Sequence, residues 1–214
     1  MIPRRLGLVM FLAAVLPSAP AWAQTTSDDG FRGRLLVHFE GQAMTAKDSF
    51  DAVAGTSTLM GVGVGLEAQN VWRSLFVRGA ISRFKKTGER VFVSDGELFR
   101  LGIPLEITMT PIEVGAGWRF TPLIGIVPDV GAGALFHKHR EESPGDGSGD
   151  GVDETFTGMT VFGGVEVPVW RFVSAGAEVG WRKASVGSPG GAMAAFGEKD
   201  LGGVSFRVMF SIKN

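Results

Sequence analysis

About eight segments of this chain share one pattern, in which apolar residues fall on one parity while Gly, Ser, Arg and Glu fall on the other. The last segment shows it: Val204, Phe206, Val208, Phe210 and Ile212 alternate with Gly203, Ser205, Arg207, Met209 and Ser211. Side chains two apart in a strand share a face. One face then suits lipid and the other suits water or polar partners, the pattern of a membrane-spanning β-barrel.

The N-terminus indicates the compartment. Arg4 and Arg5 precede an uncharged run from Leu6 to Leu16, followed by Ala21-Trp22-Ala23 and Gln24. A basic start, a short apolar run and an Ala-x-Ala site predict a secretory signal peptide, too short to cross a bilayer as a helix. Residues 1–23 are expected to be removed, leaving 24–214 as one barrel domain. Loss of Arg4 and Arg5 lowers the 21 basic side chains to 19 against 22 acidic ones, a formal charge of −3, and nothing points to nucleic acid. The chain has no Cys, which excludes disulfides and thiol chemistry in an oxidising compartment. No further run of about 18 apolar residues offers a transmembrane helix. Gly, 32 of 214 residues, is about twice its usual ~7% share and fits the crowded interior of a small barrel.

Strands are predicted near 31–43, 58–68, 75–93, 98–120, 128–139, 155–169, 172–184 and 200–212. Asp95-Gly96 reads as a type I′ hairpin turn, since Asp-Gly favours positive φ. After Pro111 the apolar parity flips, from Leu105, Ile107 and Met109 to Ile112, Val114, Ala116 and Trp118, which reads as a β-bulge. The third and fourth strands, about 20 residues each, exceed the ~9–11 needed to cross a membrane, so a protruding extracellular hairpin is expected. Connections 69–74, 121–127 and 170–171 are short, whereas 45–57, 141–154 and 185–199 are long and rich in Gly, Ser, Asp and Pro. That asymmetry separates periplasmic turns from external loops. The expected fold is all-β: an eight-stranded antiparallel up-and-down transmembrane barrel.

The inward parity collects Arg32, Arg34, Glu40, Glu67, Arg78, Glu113, Arg119, Glu166, Glu178, Arg182 and Arg207. Lone charges in a narrow barrel are costly, so a structural salt-bridge network filling the interior is expected.

Four stretches carry a family resemblance: Ile107-Thr-Met-Thr-Pro-Ile-Glu-Val-Gly-Ala-Gly-Trp-Arg-Phe120, Val130-Gly-Ala-Gly-Ala134, Gly163-Gly-Val-Glu-Val-Pro168 and Asp200-Leu-Gly-Gly203. With them most of the mature chain resembles the small outer-membrane barrels, OmpA-like and OmpX-like. The resemblance implies the Gram-negative outer membrane, contact with its lipid and lipopolysaccharide, and recognition of the last strand by the barrel-assembly machinery. Two features depart from that pattern. Phe210 is followed by Ser211-Ile212-Lys213-Asn214 rather than ending the chain, and Tyr is absent, which leaves Trp72, Trp118, Trp170, Trp181 and Phe residues to form interfacial girdles.

The remaining constellations are weak. His137-Lys-His139 with Glu141 and Glu142 offers two good metal ligands at an exposed rim, and Asp146-Gly-Ser-Gly-Asp150-Gly151 opens like a calcium loop but has Thr157 where the bidentate Glu belongs. Both read as solvated polar segments. Outer-membrane lipid A-modifying enzymes, similar only in architecture, need an activated Ser with His and an acid. His38, His137 and His139 are not accompanied by such a motif. The expectation is therefore a protein without catalytic, metal or cofactor residues. Its role would be envelope structure or surface interaction, with an extracellular protein partner at the protruding hairpin; the alternative is a small pore for ions or hydrophobic solutes.

Overall fold

The computed structural model describes residues 32–94, 97–143, 152–187 and 191–213. The stretch at 1–23 expected to be a signal peptide, the turn predicted at Asp95-Gly96 and the Asp146–Gly151 segment lie outside them.

Eight strands run in chain order: β1 (Arg32–Met44), β2 (Thr58–Trp72), β3 (Leu75–Ser94), β4 (Glu97–Arg119), β5 (Val127–Glu142), β6 (Val152–Trp170), β7 (Val173–Ala184) and β8 (Gly203–Lys213). Each pairs antiparallel with its neighbours, and β8 pairs with β1, so the sheet closes into a barrel and leaves free edges where β3 runs past Phe84 and β4 past Glu106. Alternation sets the two faces. On β1, Leu36, His38, Glu40 and Gln42 are buried, while Leu35, Val37 and Phe39 point outward. The same outward belt continues through Val62, Val64, Ile81, Val114, Val161 and Val208. An apolar belt around a whole barrel is far larger than the patches soluble monomers expose, and it requires lipid.

Glycines make the narrow interior possible. On β2, a side chain at inward-facing Gly61 would collide with the Phe84 ring and one at Gly63 with the His38 ring. Gly117 and Gly131 yield in the same way to Phe76 and Phe162.

Turns at one end are tight. Arg73-Ser74 joins β2 to β3, and Leu123 pairs with Ile126 around Ile124 (φ 51°) and Gly125 (φ 80°) between β4 and β5. The other end carries two helices inside long connections, α1 (Lys47–Ala54) and α2 (Gly191–Phe196), where only irregular loops were expected. The residue preceding α1, Ala46, provides no side-chain cap. The cap comes from the β7–β8 connection, where the Glu198 carboxylate accepts from the backbone N–H of Asp48 and of Ser49, both at 3.0 Å, and from the Ser49 hydroxyl.

The parity flip at Pro111 is not a bulge. Register between β4 and β5 runs without a break through Ile112↔Phe136, Pro111↔His137, Thr110↔Lys138 and Met109↔His139. Towards the tight turns, Ile112, Val114 and Ala116 face outward to lipid. On the helix side, outward positions become Thr110, Thr108 and Glu106, while Met109, Ile107 and Leu105 turn into the lumen without any change of register. The environment changes, not the pleat. These inward residues join Met44, Leu59, Phe84 and Leu135 in an apolar core, on which Phe50 of α1 sits with 4% of its surface exposed. The irregularity lies further out, between Glu89 and Val91 opposite Pro104 and Arg100, where Gly102 takes φ 69°. With 20 and 23 residues, β3 and β4 extend well past the apolar belt as a protruding hairpin.

Candidate functional site

Two layers of charge fill the lumen inside the apolar belt. Near the tight turns, Arg34 Nη1 lies 3.3 Å from Glu67 and Arg119 Nη2 lies 2.9 Å from the same carboxylate. Both guanidinium groups also reach Glu166, Arg119 at 3.2 Å. Lys213 and the Ser211 hydroxyl complete this layer.

The second layer is deeper. Arg207 touches Glu178 at 3.1 Å, Glu113 at 2.6 Å and Glu40 at 3.2 Å. Arg182, 0% exposed, donates from Nε to Glu113 at 2.6 Å and from Nη1 to the Gln42 side-chain oxygen at 2.6 Å, and it also pairs with Glu40. Arg78 pairs with Glu178 at 2.7 Å and lies 4.0 Å above the Phe162 ring. Charges buried this deeply are tolerable only because each guanidinium meets carboxylates in nearly fixed geometry. Of the eleven inward charges named from the sequence, ten take part in these two layers. The eleventh, Arg32, is half-buried at the start of β1. Gln42, Ser82, Ser211 and Lys213 also belong to the network. Their parity places them on the inward face, but only the pairing register between distant strands brings them to particular carboxylates.

One trio resembles catalytic machinery. Ser82 Oγ donates to Glu40 at 2.7 Å and lies 2.8 Å from His38 Nε2. In a nucleophilic triad the imidazole stands between hydroxyl and acid and takes the hydroxyl proton. Here the hydroxyl stands in the middle, its proton is committed to Glu40, and all three side chains are buried. The arrangement is a hydrogen-bond chain within the network.

The histidines of β5 face inward, beyond the charge layers. His137 is fully buried against the apolar core, and His139 Nε2 lies 2.8 Å from Glu141. Glu142 points the other way, beside Arg140. Among the described residues, no group of three or more His, Asp or Glu side chains is placed to hold a metal ion. The aromatic side chains sort by height. Trp72 and Trp118 meet edge to face at 6.2 Å near the tight turns, where Trp170 is also exposed, and Trp181 lies on the outward face of β7.

No protein-family model matches the sequence, and no curated protein matches it. Solved structures do. Neisserial surface protein A superposes with a TM-score of 0.54 at 12% identity, covering 86% of this chain and 97% of that one. The fold is that of the small outer-membrane barrels. Ail, the attachment invasion locus protein of Yersinia pestis, solved in complex with the heparin analogue sucrose octasulfate, matches with a TM-score of 0.50 at 11% identity over 86% of this chain and 99% of its own. A major outer membrane protein of Thermus thermophilus gives 0.51 at 9% identity over 85% and 99%. At such identities the likeness is one of architecture: eight strands, closed, with a lipid-facing belt.

Proposed function

We propose that this barrel is a non-enzymatic protein of the Gram-negative outer membrane, closed along its axis, that presents the β3–β4 hairpin to an extracellular protein partner. The observation that carries the reading is the hairpin itself, whose strands continue far beyond the ~9–11 residues a membrane crossing needs. Above the belt it exposes Leu98 and Phe99, apolar side chains beyond the reach of lipid. Extended edges of this kind accept a further strand or a complementary surface. The wall contacts outer-membrane lipid and lipopolysaccharide, and β8 engages the assembly machinery. Two charge layers and an apolar core stacked along one narrow lumen support closure against ion flow.

The test compares cells displaying the intact barrel with cells displaying a deletion of residues 88–98. Adherence to protein-coated surfaces is expected to fall with the deletion while heat-modifiable gel mobility is retained. Equal adherence would sink the presentation reading. Steady single-channel current from the intact protein in a planar bilayer would replace closure with a pore.

A further inference from the structure

Above the apolar core, the outer mouth of the barrel contains a cavity of about 400 Å³. Its floor is formed by Phe50, Leu105, Ile107 and Leu201, all buried. Its walls come from four separate parts of the chain: Phe92 and Leu101 on the hairpin, Phe156 on β6, Val53 on α1 and Met193 on α2. Charged groups lie among the more exposed lining residues. Arg90, whose Nε donates to Ser143 at 2.7 Å, contributes positive charge, and Glu141 and Glu154 contribute negative charge.

We infer that this vestibule binds one hydrocarbon chain of a single-chain amphiphile, with a zwitterionic or neutral polar head at the Arg90–Glu141–Glu154 rim. Three features select that class. Size comes first: the cavity is at the small end of the roughly 300–1,000 Å³ range of small-molecule sites, which suits one chain. The second is the polarity of the interior. Ser49, the hydroxyl among the described lining residues, is held by Glu198, and His139 is paired with Glu141 through Nε2, which leaves its buried Nδ1 as a single polar atom against an otherwise apolar interior. A peptide segment entering here would bury more amides than the lining can pair, whereas a hydrocarbon chain has none to bury. Third, the rim has both signs of charge, which disfavours a head of strong single charge. Exposed apolar walls above the lipid belt also need an occupant to remove them from water. The opening toward the exterior rests on the outer-membrane reading above, but binding does not depend on any protein partner of the hairpin.

The experiment uses the full mature chain refolded into nanodiscs of deuterated two-chain phosphatidylcholine, with methyl groups labelled for NMR. Short-chain lysophosphatidylcholine is titrated below its micelle concentration. Saturable shifts are expected at the methyls of Val53, Leu105, Ile107 and Met193, with none at lipid-facing Val62 and Val208. Val53→Trp, which fills the cavity, should weaken binding by about tenfold or more; Met193→Trp, on the other helix, repeats the test if the first variant does not refold by gel mobility. Absence of shifts, non-saturating shifts that include Val62 and Val208, or undiminished binding by a folded Trp variant would each overturn the inference. If deletion of 88–98 leaves adherence intact while the saturable shifts persist in the intact barrel, only the presentation reading falls.

Discussion

Along β1 the lumen changes chemistry within a few residues. At Arg34, Glu40 and Gln42 the inward side chains are charged or hydrogen-bonded, and at Met44 they become apolar and continue into Phe50 of α1. The outer surface changes in the opposite sense at the same height. Where the outside is Ile112 and Val114 the inside holds Glu113, and where the outside is Thr110 and Thr108 the inside holds Met109 and Ile107. Within the membrane, lipid takes up the apolar residues, and the lumen is filled by charged groups that pair with one another. Beyond it the wall faces water on the outside, so the hydrophobic effect acts inward, as in any soluble domain. One continuous barrel thus contains two kinds of interior, one held by fixed electrostatic geometry and one by packing.

The sharpest break is expected in the charged half. Arg182→Leu leaves Glu40 and Glu113 facing each other through Arg207 alone, and losing one partner of a buried ion pair costs about 3–5 kcal/mol. Guanidinium unfolding of the barrel in lipid vesicles should show the drop. Arg182→Leu combined with Glu113→Leu removes charge of both signs and should recover much of it. A double variant no better than the single one would mean that the layer is not held by charge pairing.

The packed half should respond differently. Phe50→Ala empties the centre of the upper core at about 3 kcal/mol in a rigid site, and less if α1 rises from its seat. Hydrogen exchange separates the two regions: the Leu105 and Ile107 amides should exchange faster, while Glu113 and Arg207 remain protected. Uniform loss of protection would join the halves into one cooperative unit.

A smaller effect is expected at the link between the helices. Glu198→Ala removes the acceptor for two N–H groups at the start of α1, a loss of about 1 kcal/mol by the scale of helix capping. Faster exchange confined to α1 and the residues beneath it is the expected signature, and no change at Asp48 and Ser49 would show that the helix holds its place through Phe50 alone.

Strand number, closure and which charges face inward could be read from parity because a strand has only two faces, and along the belt each face meets a single environment. The upper core could not, for the same reason. At Pro111 the pattern of apolar residues shifts by one, and a shift of one in sequence reads equally as an extra residue or as a wall leaving the membrane. Inspection of the opposite parity could have separated the two, since Thr110, Thr108 and Glu106 form a polar outer row that continues the lipid-facing row in step. The helices were hidden by their length. Eight residues, Lys47–Ala54, provide little periodicity beyond Phe50, Val53 and Ala54, and the cap that fixes them lies about 150 positions away in Glu198. Pairing partners within the ion network depend on barrel register, which brings Arg34 to Glu166 and Arg182 to Gln42 across the lumen.

The tight turn at Leu123–Ile126 gives an equally small effect and the cleanest reference, because it lies outside both interiors. Ile124 takes φ 51° with its side chain fully in solvent, and a β-branched residue there has strain with no packing in return. Asn tolerates this conformation and is the usual partner of a following Gly in a type I′ turn. Ile124→Asn should therefore stabilise the barrel by about 1 kcal/mol, read as a higher guanidinium midpoint with an unchanged denaturant slope. The increment should be the same in the Arg182→Leu and Phe50→Ala backgrounds, since distant sites add. If it vanishes in one background only, that half of the lumen has already unfolded before the turn does, and the order in which the two interiors give way follows directly.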